Sequence, residues 1–231
     1  MRLHAPEGNR ALLITTLAVP LTGWTVHVLA LHRRLAAARK DLAAARMDPL
    51  SGLAGRPELL AYSERLLCTQ HRDALHVLLL DGVGFKAVND TYGHAAGDAV
   101  IQTIGRRLAR WSANRQAFPA RLGGDEFAVS VVLPPATALT EIAGLREQLQ
   151  QPLQHEQHTL RLDVSLGIAR AVDLPGESSR RILRGADTAM YKVKKGRETF
   201  PYLATRADAY ADTVNGRRAG RRGAASLGRA A

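Results

Sequence analysis

The stretch "RLGGDEFAV", residues 121–129, sets two glycines and two acids inside an apolar run. Upstream lies "FPARL", 118–122. Downstream lies "EFAVSVVL", 126–133, where Phe127, Val129 and Val131 alternate with Ala128, Ser130 and Val132. Alternation flanking a Gly-Gly turn predicts a β-hairpin. Working outward, "LHVLLLDG", 75–82, is a short apolar run closed by an acid and a glycine, and it reads as a buried strand. Helical spacing appears from Pro57 to about Cys68, over 97–111, over 136–151 and over 178–195. "TLRLDVSLGIARA", 159–171, reads as a strand, and "FPYL", 200–203, as a short closing strand. A tight hairpin among helices breaks any simple βαβ repetition. The fold class is therefore α+β, or mixed α/β.

The chain has 231 residues, 46% of them hydrophobic, which is enough for one ordinary domain with appendages. Its formal net charge is +11, which favours polyanions such as nucleotides, nucleic acid or an anionic membrane face. Much of that surplus sits in 204–231, with six arginines against Asp208 and Asp212, and this Gly/Ala/Arg-rich segment reads as a disordered basic tail. Nothing resembles a recognition helix or a stacking platform, so no specific nucleic-acid partner is expected. A single cysteine, Cys68, excludes a disulfide framework within the chain.

After a short tail, 1–10, the run 11–31 contains no Asp, Glu, Lys or Arg. At ~1.5 Å per residue it would span about 32 Å, close to the roughly 30 Å of a bilayer core. It reads as a single transmembrane helix, the alternatives being a buried helix or a cleaved signal. Arg33, Arg34, Arg39 and Lys40 follow it, while only Arg2 and Arg10 precede it, so the positive-inside rule puts the remainder in the cytoplasm. The expected location is thus the cytoplasmic membrane. Residues 32–47 read as a helical stalk, in which "LAAAR" recurs at 35–39 and 42–46. That spacing suggests pairing in a short coiled coil, with a solvated linker as the alternative. The folded domain is expected over 48–203.

Asp81 ends the first strand and Asp125 sits at the hairpin tip. If the hairpin lies beside that strand, the two carboxylates meet at one sheet edge. Paired carboxylates with a few other oxygens suit Mg²⁺, with Mn²⁺ as a substitute. Such a cation would neutralise a triphosphate. "FKAVNDTYGHAAGD", 85–98, is unusually dense in polar groups. Asn89 and Asp98 have the donors and acceptors to read a base edge. Lys86 can serve as a point charge for phosphate.

In order, "DPLSGL", "LDGVGFKAVNDTYGHAAGD", "RLGGDEF", "VSLGIA" and "ADTAMYKVKKGR" resemble the motifs of the GGDEF family, the diguanylate cyclases. The resemblance implies a fold like that of class III nucleotide cyclases and the polymerase palm. It implies condensation of two GTP into cyclic di-GMP, with release of two pyrophosphates, by two domains facing each other in a homodimer. On this sequence it implies that Asp81, Asp125 and the Gly82 carbonyl hold Mg²⁺. Asp125 would also be the general base, and Lys86 would stabilise the transition state. Asn89, Asp98 and His94 would serve guanine. Gly123, Gly124, Phe85, Lys194 and Arg197 would line the phosphates.

Five places depart from the family pattern. Val83 stands where a second acid is usual, and Gly84 where a bulkier polar residue is common. Gly55-Arg56 replaces Asn-Arg, and "VKKGRE" is one residue short. Asn114 and Ala117 occupy the positions of the family's inhibitory RxxD site, so no product inhibition is expected there. The alternative is a degenerate domain that binds GTP or serves as a signalling or interaction module without turnover. The regulating signal is not legible.

Overall fold

The computed structural model describes residues 27–34 and 47–211. Residues 27–34 are helical and belong to a unit, Met1–Arg46, separate from the domain that begins at Met47. Most of the predicted membrane span and stalk, and the tail from 212, lie outside the described residues. Among those described, no helix is long and apolar enough to cross a membrane.

The domain follows the order α1 (Arg56–Leu67), β1 (Leu75–Val83), α2 (Phe85–Tyr92), α3 (His94–Ser112), β2 (Ala117–Gly123), β3 (Glu126–Val132), α4 (Ala138–Gln150), β4 (Leu153–His155), β5 (His158–Leu160), β6 (Asp163–Arg170), α5 (Ser179–Lys194) and α6 (Arg206–Tyr210). Four strands form an antiparallel sheet in the order β2-β3-β1-β6. The hairpin thus lies beside the first strand, and β1 is central.

Strand β1 is a continuous apolar run because both faces of the sheet are covered. Leu78 and Leu80 join the core shared with Val100, Ile104 and Leu108 of α3 and Ile142 and Leu145 of α4. Leu75, Val77 and Leu79 join the core shared with Leu59 and Leu66 of α1 and Ile182, Ala186 and Met190 of α5. Each fully buried leucine contributes roughly 2 kcal/mol by leaving water. The alternation places Asp81 on the α5 side. Strand β2 is an edge strand, where Pro119 sits opposite Val129 without interrupting a central ladder.

Several expectations are corrected. The strand predicted over 159–171 is two strands. Residues His158–Leu160 pair with β4 in a separate two-stranded sheet, and Asp163–Arg170 pair with β1. The predicted strand at 200–203 reduces to one parallel bridge from Leu203 to Ile168. Pro201 has no N–H for a ladder, and Tyr202 turns its hydroxyl to Lys192 and Asp208. Met47, expected in the stalk, forms an isolated bridge with Ala54.

The tail expected to be disordered from 204 instead begins with folded chain. Ala204 donates its N–H to Ile168 at 2.7 Å. Thr205 and Asp208 form a capping box at the start of α6. The Asp208 carboxylate is 3% exposed and also receives Lys192 at 2.8 Å and Tyr202 at 3.0 Å. Burial pushes this carboxyl up, but the hydrogen bonds of Lys192, Thr205 and Tyr202 outweigh it and hold it below the usual range. The hydrogen bonds to Asp208 and Tyr202 raise Lys192 above the ordinary lysine value.

Within β1, His76 is 1% exposed. Its Nδ1 is 2.9 Å from the Ala74 carbonyl, and its Nε2 is buried with no hydrogen-bond partner among the described residues. Burial holds this imidazole below its ordinary value, against the upward pull of the Ala74 hydrogen bond.

Asp208→Ala should destabilise the domain by about 2 kcal/mol, because it removes the buried acceptor shared by Lys192, Tyr202 and Thr205 and uncaps α6; urea unfolding should show the midpoint fall at unchanged slope. The unfolded chain protonates His76 near pH 6.5, whereas the folded chain resists doing so until lower pH. Its contribution is therefore fully present above about pH 6.5 and is lost as pH falls, by at most ~1.4 kcal/mol per pH unit. Urea titrations between pH 5 and 8 should show that slope in the wild type and a flatter one in His76→Gln.

Candidate functional site

The site lies where β1 ends beside the tip of the β2–β3 hairpin. Antiparallel register sets Asp81 opposite Glu126. The Gly82 N–H then donates to the Asp125 carbonyl at 3.3 Å. A Cβ at Gly82 would lie 3.4 Å from Asp125 Oδ2, so the half-buried Asp125 carboxylate folds over the Gly82 backbone. Asp81, Gly82 and Asp125 are thus brought together. Asp81 is 2% exposed, and its Oδ1 accepts from Lys194 Nζ at the end of α5.

The turn has its own fastening. Gly124 has φ of 56°, a left-handed conformation that glycine adopts without strain. Its carbonyl accepts from Arg121 Nε at 3.0 Å and Nη2 at 2.7 Å. The same guanidinium gives Nη1 to both oxygens of Asp48, each at 2.9 Å. Burial pushes Asp48 up, but hydrogen bonds from Ser51 and then Arg121 outweigh it and hold the carboxyl below the usual range. Arg121 also donates its backbone N–H to Ala54 at 2.9 Å. The "DPLSGL" segment is therefore zipped to the edge strand, and a charge-assisted fork ties it to the turn. Both motifs are legible in the sequence, but their union is not.

The polar segment 85–98 is not a loop. It forms α2 and the first turn of α3, with Gly93 between them. The two helices cross closely at Gly97, where a Cβ would overlap the Asn89 amide head and reach within 3.2 Å of Phe85 Cζ. Asn89 is thereby held beside the turn that carries the exposed Asp98. Lys86 and His94 are exposed, on α2 and at the start of α3. Phe85 packs against the core, with its Cβ 3.7 Å from a Cβ built on Gly82. That contact joins α2 to the acid pair.

Gly123 and Gly124 are exposed at the turn. Arg197 lies beyond α5 with its guanidinium 5.9 Å from the Tyr191 ring centre. Val83 is exposed and pairs with Asp163, which is engaged by Gln150 at 2.6 Å.

For a divalent cation the donor set is two carboxylates and the Gly82 backbone around one strand end. Hard oxygen donors few enough to leave room for water and substrate oxygens fit Mg²⁺. Among the described residues no group of three or more His, Cys, Asp or Glu converges on one point.

The family described as "Diguanylate cyclase, GGDEF domain" matches residues 45–199. A Streptomyces ambofaciens protein described as uncharacterized, of 19.3 kDa, is 38% identical over 176 residues, covering 76% of this chain and 89% of its own. Diguanylate cyclase DgcN of Escherichia coli is 36% identical over 159 residues, which is 65% of this chain and 37% of DgcN. This chain therefore spans well under half of that relative. Among solved structures, the coiled coil and GGDEF domain of DgcB from Caulobacter crescentus, in complex with c-di-GMP, superposes with TM-score 0.63 at 28% identity. It covers 82% of this chain and 99% of that one. The GGDEF domain of TpbB, also called YfiN, from Pseudomonas aeruginosa gives TM-score 0.63 at 32% identity, over 71% and 97%. With more than half of its residues matched by the family and its sheet and helices shared with these structures, this chain belongs to the GGDEF domain family.

Proposed function

We propose that the protein is a diguanylate cyclase, condensing two GTP into cyclic di-GMP as a two-fold dimer. The observation that carries this reading is the convergence of Asp81 and Asp125 at the Gly82 backbone, flanked by the helices that bear Lys86, Asn89 and Asp98. Asp81, Asp125 and the Gly82 carbonyl would hold Mg²⁺, with Mn²⁺ as a substitute. When bound, the ion would supply charge neutralisation at the phosphates. Asp125 would accept the proton of the attacking 3′-hydroxyl. Lys86, exposed on α2, would meet charge developing on the phosphoryl oxygens. Asn89 and Asp98 would bond the guanine edge, with His94 beside them. Gly123 and Gly124 would let the turn's backbone approach the phosphates, and Phe85, Lys194 and Arg197 would complete that region.

Each domain would hold one GTP, so two must face each other. A paired stalk over 32–47 would raise their effective concentration. The run 11–31 would anchor the chain in the cytoplasmic membrane with the domain on the cytoplasmic side. Asn114 and Ala117 would leave no inhibitory product site.

The chain from Arg34 onward, incubated with GTP and Mg²⁺, should yield cyclic di-GMP. Absence of product from a demonstrably dimeric sample would favour a non-catalytic GTP-binding or interaction module, a reading to which Val83 and the shortened final segment lend support. Asp125→Ala should remove turnover; full activity in that variant would overturn the acid-pair assignment. Gly97→Ala places a methyl where the Asn89 amide now sits, and it should raise the KM for GTP about tenfold, equivalent to ~1.4 kcal/mol. Its thermal stability should change little, since alanine favours a helix interior by up to ~1 kcal/mol. An unchanged KM would mean that Asn89 does not read the base.

A further inference from the structure

Asp81 carries its carboxylate into the interior at 2% exposure, and Lys194 Nζ bonds Oδ1 directly. A buried carboxylate needs a compensating positive charge, and in this structure the lysine supplies it. Lys194 is the last residue of α5, and its side chain is 30% exposed. Behind it the helix end is fixed. Lys192 holds Asp208 at 2.8 Å and Tyr202 at 2.8 Å, and Lys195 donates its N–H to Tyr191 at 3.0 Å. The backbone that carries Lys194 is therefore anchored, while its four-carbon stem can swing into solvent without moving the helix.

We propose that Lys194 is an internal counter-ion that occupies Asp81 in the nucleotide-free enzyme and competes with the divalent cation for it. This rests on the metal reading of Asp81 given above. An ammonium and a divalent cation repel, so holding both on the one Asp81 carboxylate is unfavourable. Metal binding there without nucleotide loosens or displaces the lysine and brings no anion to receive it. Metal arriving with a triphosphate brings anionic oxygens that can receive the displaced ammonium. The pair thus disfavours loading of bare metal and favours joint loading of metal and nucleotide. It also keeps the acid neutralised between turnovers.

The experiment is Mn²⁺ titration of the full chain without nucleotide, with free Mn²⁺ read by electron paramagnetic resonance. Lys194→Met, which keeps the stem and removes the charge, should bind Mn²⁺ roughly tenfold more tightly than the wild type, as expected when a competing state is removed. Lys194→Gln should behave the same way and stands in if the first variant folds poorly. Lys195→Met should bind as the wild type does. Equal or weaker Mn²⁺ binding in both Lys194 variants overturns the counter-ion, whereas Asp81→Asn abolishing wild-type binding would leave the metal reading intact. A gain in Lys194→Met that survives Asp81→Asn places the cation elsewhere and overturns both.

Discussion

Strand β1 runs through the middle of the sheet with both faces covered, and at Asp81 it carries a carboxylate into that interior. The surrounding arrangement answers to that charge. The apolar residues before it bury the strand and set its parity, which turns Asp81 toward α5. The ladder to β3 brings the hairpin tip alongside, so a second carboxylate, Asp125, lies against the next residue, Gly82. A carboxylate buried this deeply is unfavourable without positive charge nearby. Lys194 provides it in this structure, and a divalent cation would do so more strongly.

The turn that carries Asp125 is held from outside the site. A two-residue tip rich in glycine has little stiffness of its own. Arg121 supplies it by gripping the Gly124 carbonyl with two N–H groups and Asp48 with a third. Asp48 in turn bonds the Ser51 N–H at 2.6 Å. The geometry at the tip thus depends on the segment where the chain enters the domain. Displacing that entry segment would pull on the carbonyl next to Asp125. These bonds join the entry segment to the turn that carries Asp125.

The legible parts of the fold were those whose signal is local. The apolar run of β1, the hairpin flanks and the faces of α3 and α5 each repeat a pattern over several residues. The acids and glycines of the site were legible as motifs for the same reason. Helix α2 was missed because its eight residues carry a largely polar surface, with only Phe85 and Val88 packing against the core. The break between β5 and β6 was hidden because Leu160, Leu162 and Val164 keep the period of two and all enter one core. Helix α6 was hidden because one alanine, Ala209, and a buried acid, Asp208, rather than large apolar residues, dock it. The pairings that hold the site join residues 73 apart for Arg121–Asp48 and 113 apart for Lys194–Asp81. No periodicity reports contacts across such separations.

The end of the domain bears on the same site. The family match stops at residue 199, yet the fold continues through α6. Asp208 returns to α5 and receives Lys192, one short step before Lys194 along the same helix end. Arg184 reinforces this by donating Nε to the Ala211 carbonyl at 2.9 Å. A helix terminus with free carbonyls would ordinarily fray, and fraying here would let the Lys194 ammonium wander from Asp81. The closing segment therefore does more than finish the domain. It sets the position from which a single lysine reaches the buried acid, so the electrostatics of the strand end are fixed partly by residues beyond the matched motifs.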